Sequence, residues 1–324
     1  MKTSTSKPLS IFSKVVSFST LFLIFVGGMV TSTGSGLAVP DWPLSYGMLF
    51  PPMVGGVFYE HGHRMVAATV GFFMLCLTIL IWKAEKRSWI KILALSALGS
   101  VILQGILGGI TVLFFLPKPV SIGHGVLAQT FFILTIILAY SLSEERKKRE
   151  SESPKAEAGS LKLIILCVFF IYCQLILGAL MRHTGSGLAI PDFPTMGGSF
   201  FPNFDQKMLA GINNWRFEHD LAFVALPQVV IHFIHRLWAF GIVIAACFLN
   251  YQSFKNYADN KRVIHTLYWL DILLIFQLCL GALTILSGKN PVITSIHVVT
   301  GAAVLGAAVL LTLRAAPLSL KEIK

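Results

Sequence analysis

The chain has 324 residues, 55% of them hydrophobic and 13% charged, with a formal net charge of +11. A soluble domain carries roughly 25% charged residues, so this composition excludes an ordinary water-soluble fold. Several apolar runs of about 20 residues identify a polytopic helical membrane protein, and the positive charge lies between those runs, where membrane orientation rather than nucleic-acid binding accounts for it.

Eight spans are predicted, over 12–31, 58–82, 90–115, 119–142, 161–181, 229–251, 263–287 and 291–314. Met1 to Lys14 is short and basic and leads into the first run, as a signal peptide would. The run continues to Val30 and its pattern recurs later, which favours a retained span. A Pro- and Gly-rich loop, 32–57, follows. The second span opens on Glu60-His61-Gly62-His63-Arg64, and the fourth carries His124. Segment 143–162 mixes both charges with Ser and Pro and reads as a flexible cytoplasmic hinge. A second long loop, 182–228, precedes His232-Phe233-Ile234-His235-Arg236 at the start of the sixth span. The seventh span carries Asp271, with no evident partner, and the eighth carries His297.

The N-terminus, 83–91, 143–162, 252–262 and the C-terminus together hold 19 of the 26 Lys and Arg. The positive-inside rule therefore places both termini in the cytoplasm and both long loops outside. The five cysteines, Cys76, Cys167, Cys173, Cys247 and Cys279, all fall inside apolar runs without C-x-x-C spacing. They read as small apolar core residues, not as a disulfide framework.

The chain repeats. Thr33-Gly34-Ser35-Gly36-Leu37-Ala38-Val39-Pro40-Asp41-Trp42-Pro43 returns as Thr184-Gly185-Ser186-Gly187-Leu188-Ala189-Ile190-Pro191-Asp192-Phe193-Pro194. His63-Arg64 returns as His235-Arg236, Gln104 as Gln277, and His124 as His297. The spacing grows between the first pair and the later ones, which puts an insertion of about 21 residues in 199–230. Four spans per half is an even number, so both halves share one orientation, related by an axis along the membrane normal. The expected fold is all-α: eight transmembrane helices as two homologous four-helix bundles, 1–150 and 151–324.

An ionisable group inside a membrane is costly and tends to be functional. His63 and His124 lie at similar depth on parallel spans, as do His235 and His297, each near the outer end. Two imidazoles facing across a four-helix bundle suit bis-axial haem ligation. Zinc would want further Cys, Asp or Glu ligands at that depth, and only Glu60 is near. Gly62, Gly123, Gly125 and Gly301 would leave room for a flat macrocycle, although ordinary helix contact also uses small residues. Arg64 and Arg236 suit haem propionates, since guanidinium matches carboxylate at two points; snorkelling toward water is the alternative. His232 takes the place of Glu60 in the second half, as a supporting group or an alternative ligand. His61, His183, His219 and His265 read as solvated or interfacial. A partly exposed Glu60–Arg64 pair, one turn apart, would contribute only about 0–1 kcal/mol.

These motifs, in this order, resemble the haem A synthase family: two homologous halves of four spans, the T-G-S-G-L-A-x-P-D-[WF]-P outer loops, E-x-x-H-R at Glu60 to Arg64, and four helix-top histidines. The resemblance implies an oxidoreductase of the bacterial cytoplasmic membrane that converts haem O to haem A for cytochrome oxidase. Its first half would hold haem O between His63 and His124, and its second a resident haem b between His235 and His297. The C8 methyl would pass through the alcohol and the hydrated aldehyde to the formyl group, with Glu60 as the catalytic acid–base group or a stabiliser of positive charge. Haem O synthase, cytochrome oxidase assembly factors and an electron donor would be partners. Many bacterial members carry cysteines where this chain has Val39 and Ser45, so a mechanism needing a loop thiol cannot operate here. The rival reading is a di-haem b-type electron-transfer cytochrome, from which Glu60 in one half only is the discriminating feature. A duplicated transporter would instead place polar residues at the midplane.

Overall fold

The computed structural model describes residues 7–152 and 158–316. The described chain is helical: α1 (Lys7–Ser32), α2 (Gly56–Ala84), α3 (Ser88–Leu113), α4 (Lys118–Ser141), α5 (Glu144–Glu152), α6 (Ala158–His183), α7 (Gln206–Glu218), α8 (Leu226–Tyr257), α9 (Lys261–Leu286) and α10 (Pro291–Ala315). All but α5 and α7 are long and apolar enough to cross a membrane. The chain is a multi-pass membrane protein, as its composition predicts. Several helices outrun their predicted spans, α8 most of all.

Helix starts carry the groups that satisfy their orphan N–H donors. Asp205 accepts the Met208 N–H, Asn260 the Val263 N–H, and Asn290 the Val292 and Ile293 N–H groups. Proline stands in the first turn of α4, α8 and α10, where its missing N–H is no loss.

Helices α1 to α4 contact one another in a closed ring, and so do α6, α8, α9 and α10. Each ring has its own apolar core: Val70, Met74, Leu77, Ile81, Ile90 and Leu138 in the first, and Ile164, Ile171, Leu249, Leu267, Leu270 and Leu305 in the second. The rings meet where α10 packs on α1 and α4, and where α4 packs on α6. In the repeat α1 corresponds to α6 and α4 to α10, so α1/α10 and α6/α4 are one contact seen twice. That is the pattern a pseudo-two-fold relation between the halves requires. Half of the membrane-spanning window of α10 is buried, against 17–28% in the other seven helices, which makes α10 the central strut. Its Gly306 admits α4 closely: a Cβ there would lie 2.8 Å from Ile136 Cδ1.

The expected flexible hinge is ordered over 144–152. Helix α5 docks under α10 through charge that the sequence reading took for solvated. Buried Arg149 donates to Tyr140 Oη (2.8 Å), Leu313 O (2.8 Å) and Ala316 O (3.0 Å). Glu145 accepts from Arg314 at 2.9 and 2.7 Å. The remainder of the predicted hinge, 153–157, lies outside the described residues. Asp271 does have a partner, Asn250 Nδ2 at 2.9 Å.

Arg149→Ala removes three buried hydrogen bonds and should release α5 without unfolding the spans. Trypsin cleavage after Lys147 or Lys148 in detergent should become markedly faster than in the parent protein; unchanged cleavage would mean α5 is held by something else.

Candidate functional site

In both halves the outer loop is tied to the helix that follows it. Asp41 accepts the Tyr46 and Gly47 N–H groups (2.6 and 2.8 Å), and Asp192 accepts those of Gly197 and Gly198 (2.8 and 2.9 Å). The Gly47 N–H, opposed by desolvation and helped by the Tyr46 N–H, holds Asp41 below the ordinary carboxylate value. At Asp192 burial pushes upward, but the Gly198 N–H, the Thr195 side chain and the Gly197 N–H outweigh it. Depressed carboxylates stabilise above their unfolded value, so both clasps are lost only as pH falls below the ordinary 3.8.

Glu60 and His232 do the same mechanical job. Val39 N–H donates to Glu60 Oε2 at 2.8 Å, and Ile190 N–H donates to His232 Nδ1 at 3.1 Å. Val39 and Ile190 are equivalent positions in the repeat. One turn on, Arg64 Nη2 donates to Glu60 Oε1 at 2.7 Å, and Arg236 Nε lies 3.1 Å from His232 Nε2, which carries the ring proton when Nδ1 accepts from Ile190 and so is a neighbour rather than an acceptor. The arginines then hold loop carbonyls: Arg64 those of Asp41 and Leu44, Arg236 those of Ile190, Asp192 and Thr195. Glu60 is 4% exposed and His232 2%, so the carboxylate of the Glu60–Arg64 pair is buried while its arginine stays partly exposed. His61 is also buried, not interfacial, with its Nδ1 2.8 Å from Ser45 Oγ. Val39 and Ser45 are both fully buried, and hydrogen bonds close this loop without a thiol.

Below these loops stand the four histidines. His124 acts on His63 electrostatically, and His297 on His235. All four have a buried Nδ1 with no hydrogen-bond partner. Gln174 Nε2 lies 3.3 Å from His235 Nε2. The residues of α2 between His61 and Val70, of α4 between Ser121 and Gln129 and of α8 between His232 and Ile242 are half-buried or exposed.

Each imidazole edge rests on a glycine of the preceding transmembrane helix. A Cβ on Gly27 would lie 3.0 Å from His63 Cε1, on Gly108 3.5 Å from His124 Cε1, on Gly178 3.4 Å from His235 Cε1, and on Gly281 3.3 Å from His297 Cε1. The predicted glycines, Gly62, Gly123, Gly125 and Gly301, are not the ones that face the rings. The signal that would have found the others is the repeat itself, since Gly27 and Gly178 share one offset and Gly108 and Gly281 share the other. Trp42 folds back over α3, where a Cβ on Gly109 would strike the indole at 2.7 Å.

Among the described residues no three His, Cys, Asp or Glu side chains gather as a bare metal ion would need. Imidazoles with orphaned ring nitrogens, each against a glycine of a neighbouring helix, instead fit the axial positions of a haem. Helix α7 fills the insertion. Met208 and Ile212 pack on Ile190, Val224 and Val229, and Arg216 donates to Leu188 O and Ala222 O. Only the second outer loop is covered in this way.

A family model described as Cytochrome oxidase assembly protein matches residues 55–309. Three relatives, each named Heme A synthase, are similar. One from Alkalihalophilus pseudofirmus is 30% identical over 60% of this chain and 67% of its own length. One from Halalkalibacterium halodurans is 26% identical over 90% and 91%, and one from Pelagibacter ubique is 28% identical over 89% of both.

If Glu60 anchors the loop, Glu60→Leu should lower stability by roughly 1–3 kcal/mol, the usual loss for charge-assisted hydrogen bonds. Glu60→His should lose much less, because histidine already performs the task in the second half. Thermal unfolding in detergent measures both, and equal losses would remove the anchoring role.

Proposed function

Because this chain belongs to the cytochrome oxidase assembly protein family, we propose that it is a haem A synthase, oxidising haem O to haem A for cytochrome oxidase. The observation that carries the site assignment is the set of four histidines with buried, orphaned Nδ1 atoms, each ring against a glycine at equivalent places in the two halves. The first half, 1–150, takes substrate haem O between His63 and His124. The second half, 151–324, holds a resident haem b between His235 and His297. When bound, that haem supplies one-electron redox chemistry beside the substrate half. The C8 methyl of haem O is oxidised in two successive monooxygenase-type steps, each using one O2 with two electrons and two protons from a separate donor and releasing one water, first to the alcohol and then to the hydrated aldehyde, which loses water to give the formyl group.

The protein's own residues position and shield. Trp42 closes over the first half at Gly109, on the helix whose Gly108 faces His124. Glu60 Oε2 is occupied by the Val39 N–H, so any proton that Glu60 holds or passes is handled at Oε1, in competition with Arg64. Propionate contacts from Arg64 and Arg236 use whichever N–H groups the loop carbonyls leave over, such as Arg64 Nε. Both termini lie in the cytoplasm of a bacterial cell and the two long loops outside, with haem O synthase and oxidase assembly factors as partners.

The di-haem cytochrome reading gains from one finding. Glu60 and His232 anchor equivalent loops, so a carboxylate in one half only no longer separates the two functions, and chemistry must.

Purified protein should show a reduced b-type spectrum of bis-histidine character, and His235→Ala or His297→Ala should abolish the resident haem. Full low-spin haem b in both variants would sink the pairing. Glu60→Gln, which keeps an acceptor for the Val39 N–H, should reduce haem A formation by about 10²–10⁴-fold. Haem O or a partly oxidised product should accumulate on protein with an intact spectrum. Mass analysis of extracted haem decides it, and a normal haem A yield would leave Glu60 with anchoring alone.

A further inference from the structure

The two halves differ in charge at their outer mouths, at positions whose backbone geometry is the same. The turn from α3 to α4 and the turn from α9 to α10 are superimposable in their hydrogen bonds: Leu116 N–H to Thr111 O at 2.7 Å, Lys289 N–H to Thr284 O at 2.8 Å. Leu116 (φ 57) and Lys289 (φ 66) both take the left-handed conformation, which non-glycine residues seldom adopt. Each turn lays its side chain over the matching loop glycine. A Cβ on Gly36 would lie 3.5 Å from Leu116 Cδ1, and one on Gly187 3.4 Å from Lys289 Cδ and Cε. The same aimed position therefore carries an apolar group in the first half and an ammonium in the second.

A second substitution falls beside it. Thr31 at the end of α1 corresponds to Arg182 at the end of α6. Arg182 Nη2 donates to Ser32 Oγ at 2.9 Å, and Ser32 Oγ also receives Ser295 Oγ at 3.2 Å. Ser295 is two residues before His297, and the charge of Arg182 reaches His297. Burial, then Arg182, then Arg216 hold the Lys289 amine below its ordinary value. Among the described residues no carboxylate pairs with Arg182, Arg216 or Lys289. Like charges gathered at a partly buried mouth repel one another and call for an anion. In the first half the cation nearest in sequence, Lys118, is exposed on the first turn of α4.

We infer that Lys289 and Arg182 are positioning residues that hold the propionate carboxylates of the second half's haem. They make that haem resident, while the first half, with Leu116 and Thr31 at these two positions, lets its haem exchange. This rests on the reading of His235 and His297 as haem ligands. Arg236, whose N–H groups are largely taken by the loop, adds only those that the loop leaves over.

The test follows haem transfer from the full-length, haem-loaded protein in detergent to apomyoglobin. Lys289→Leu and Arg182→Thr install the first half's residues. The double variant should keep its bis-histidine spectrum but release haem b about tenfold faster or more, the scale of a lost charge-assisted contact, and its midpoint potential should fall. Protein reconstituted with haem dimethyl ester should release it equally fast with or without the two substitutions. Leu116→Lys should slow release from the first half. If Arg182→Thr disturbs folding through Ser32, Lys289→Leu alone carries the test, since Lys289 makes no side-chain hydrogen bond in the described structure. Unchanged release rates, or an ester that leaves the parent protein no faster than haem does, would overturn the inference. If His235→Ala and His297→Ala also retain haem, the ligand assignment itself has failed; if they lose it while release rates hold, only the clamp has.

Discussion

The outer end of this protein depends on one arrangement: an arginine and an acceptor one helical turn apart, jointly gripping the backbone of the loop before them. Arg64 with Glu60, and Arg236 with His232, convert a Pro- and Gly-rich segment that could not order itself into a fixed cap on the helix that carries a ring-bearing histidine. A loop buried against helices must satisfy its own peptide groups. The guanidinium does this for several carbonyls at once, which a lysine's compact ammonium would match poorly. His63 and His235 are adjacent to the grip in their halves, so the cap and the histidine are set by the same turn of helix.

Much of this was legible from residue order. Apolar length marks the eight spans that the helices reproduce, and the duplicated motifs mark the two equivalent loop clasps. Three things were not legible, for separate reasons. The docked α5 was hidden because its composition, EERKKRESE, is that of a solvated segment; only the tertiary contacts of Arg149 and Glu145 order it. The anchoring by Glu60 and His232 was hidden because a carboxylate and an imidazole look chemically different, while as acceptors of one peptide N–H they are interchangeable. The glycines at the rings were hidden because their effect is exerted across helices. Gly62 and Gly123 are adjacent to ligands in sequence, whereas Gly27 and Gly108 are adjacent in space.

Duplication also explains what differs. The packed inner ends and the outer clasps repeat nearly residue for residue, since each is needed for its half to fold. Divergence collects at the mouths: Leu116 against Lys289, Thr31 against Arg182, and α7 over the second loop alone. A repeated scaffold with unlike entrances is suited to two occupants that stay for unlike times.

The central position of α10 has a consequence for biogenesis. Among the described spans it is made after the other seven, yet it packs against α1 and against α4. Until it arrives, Gly28 of α1 lacks Ser295, which packs on it, and Ile24 has Phe132 of α4 but not Ala302. The packing of the first half is therefore completed only once α10 is in place, although all four of its own helices are already in the membrane.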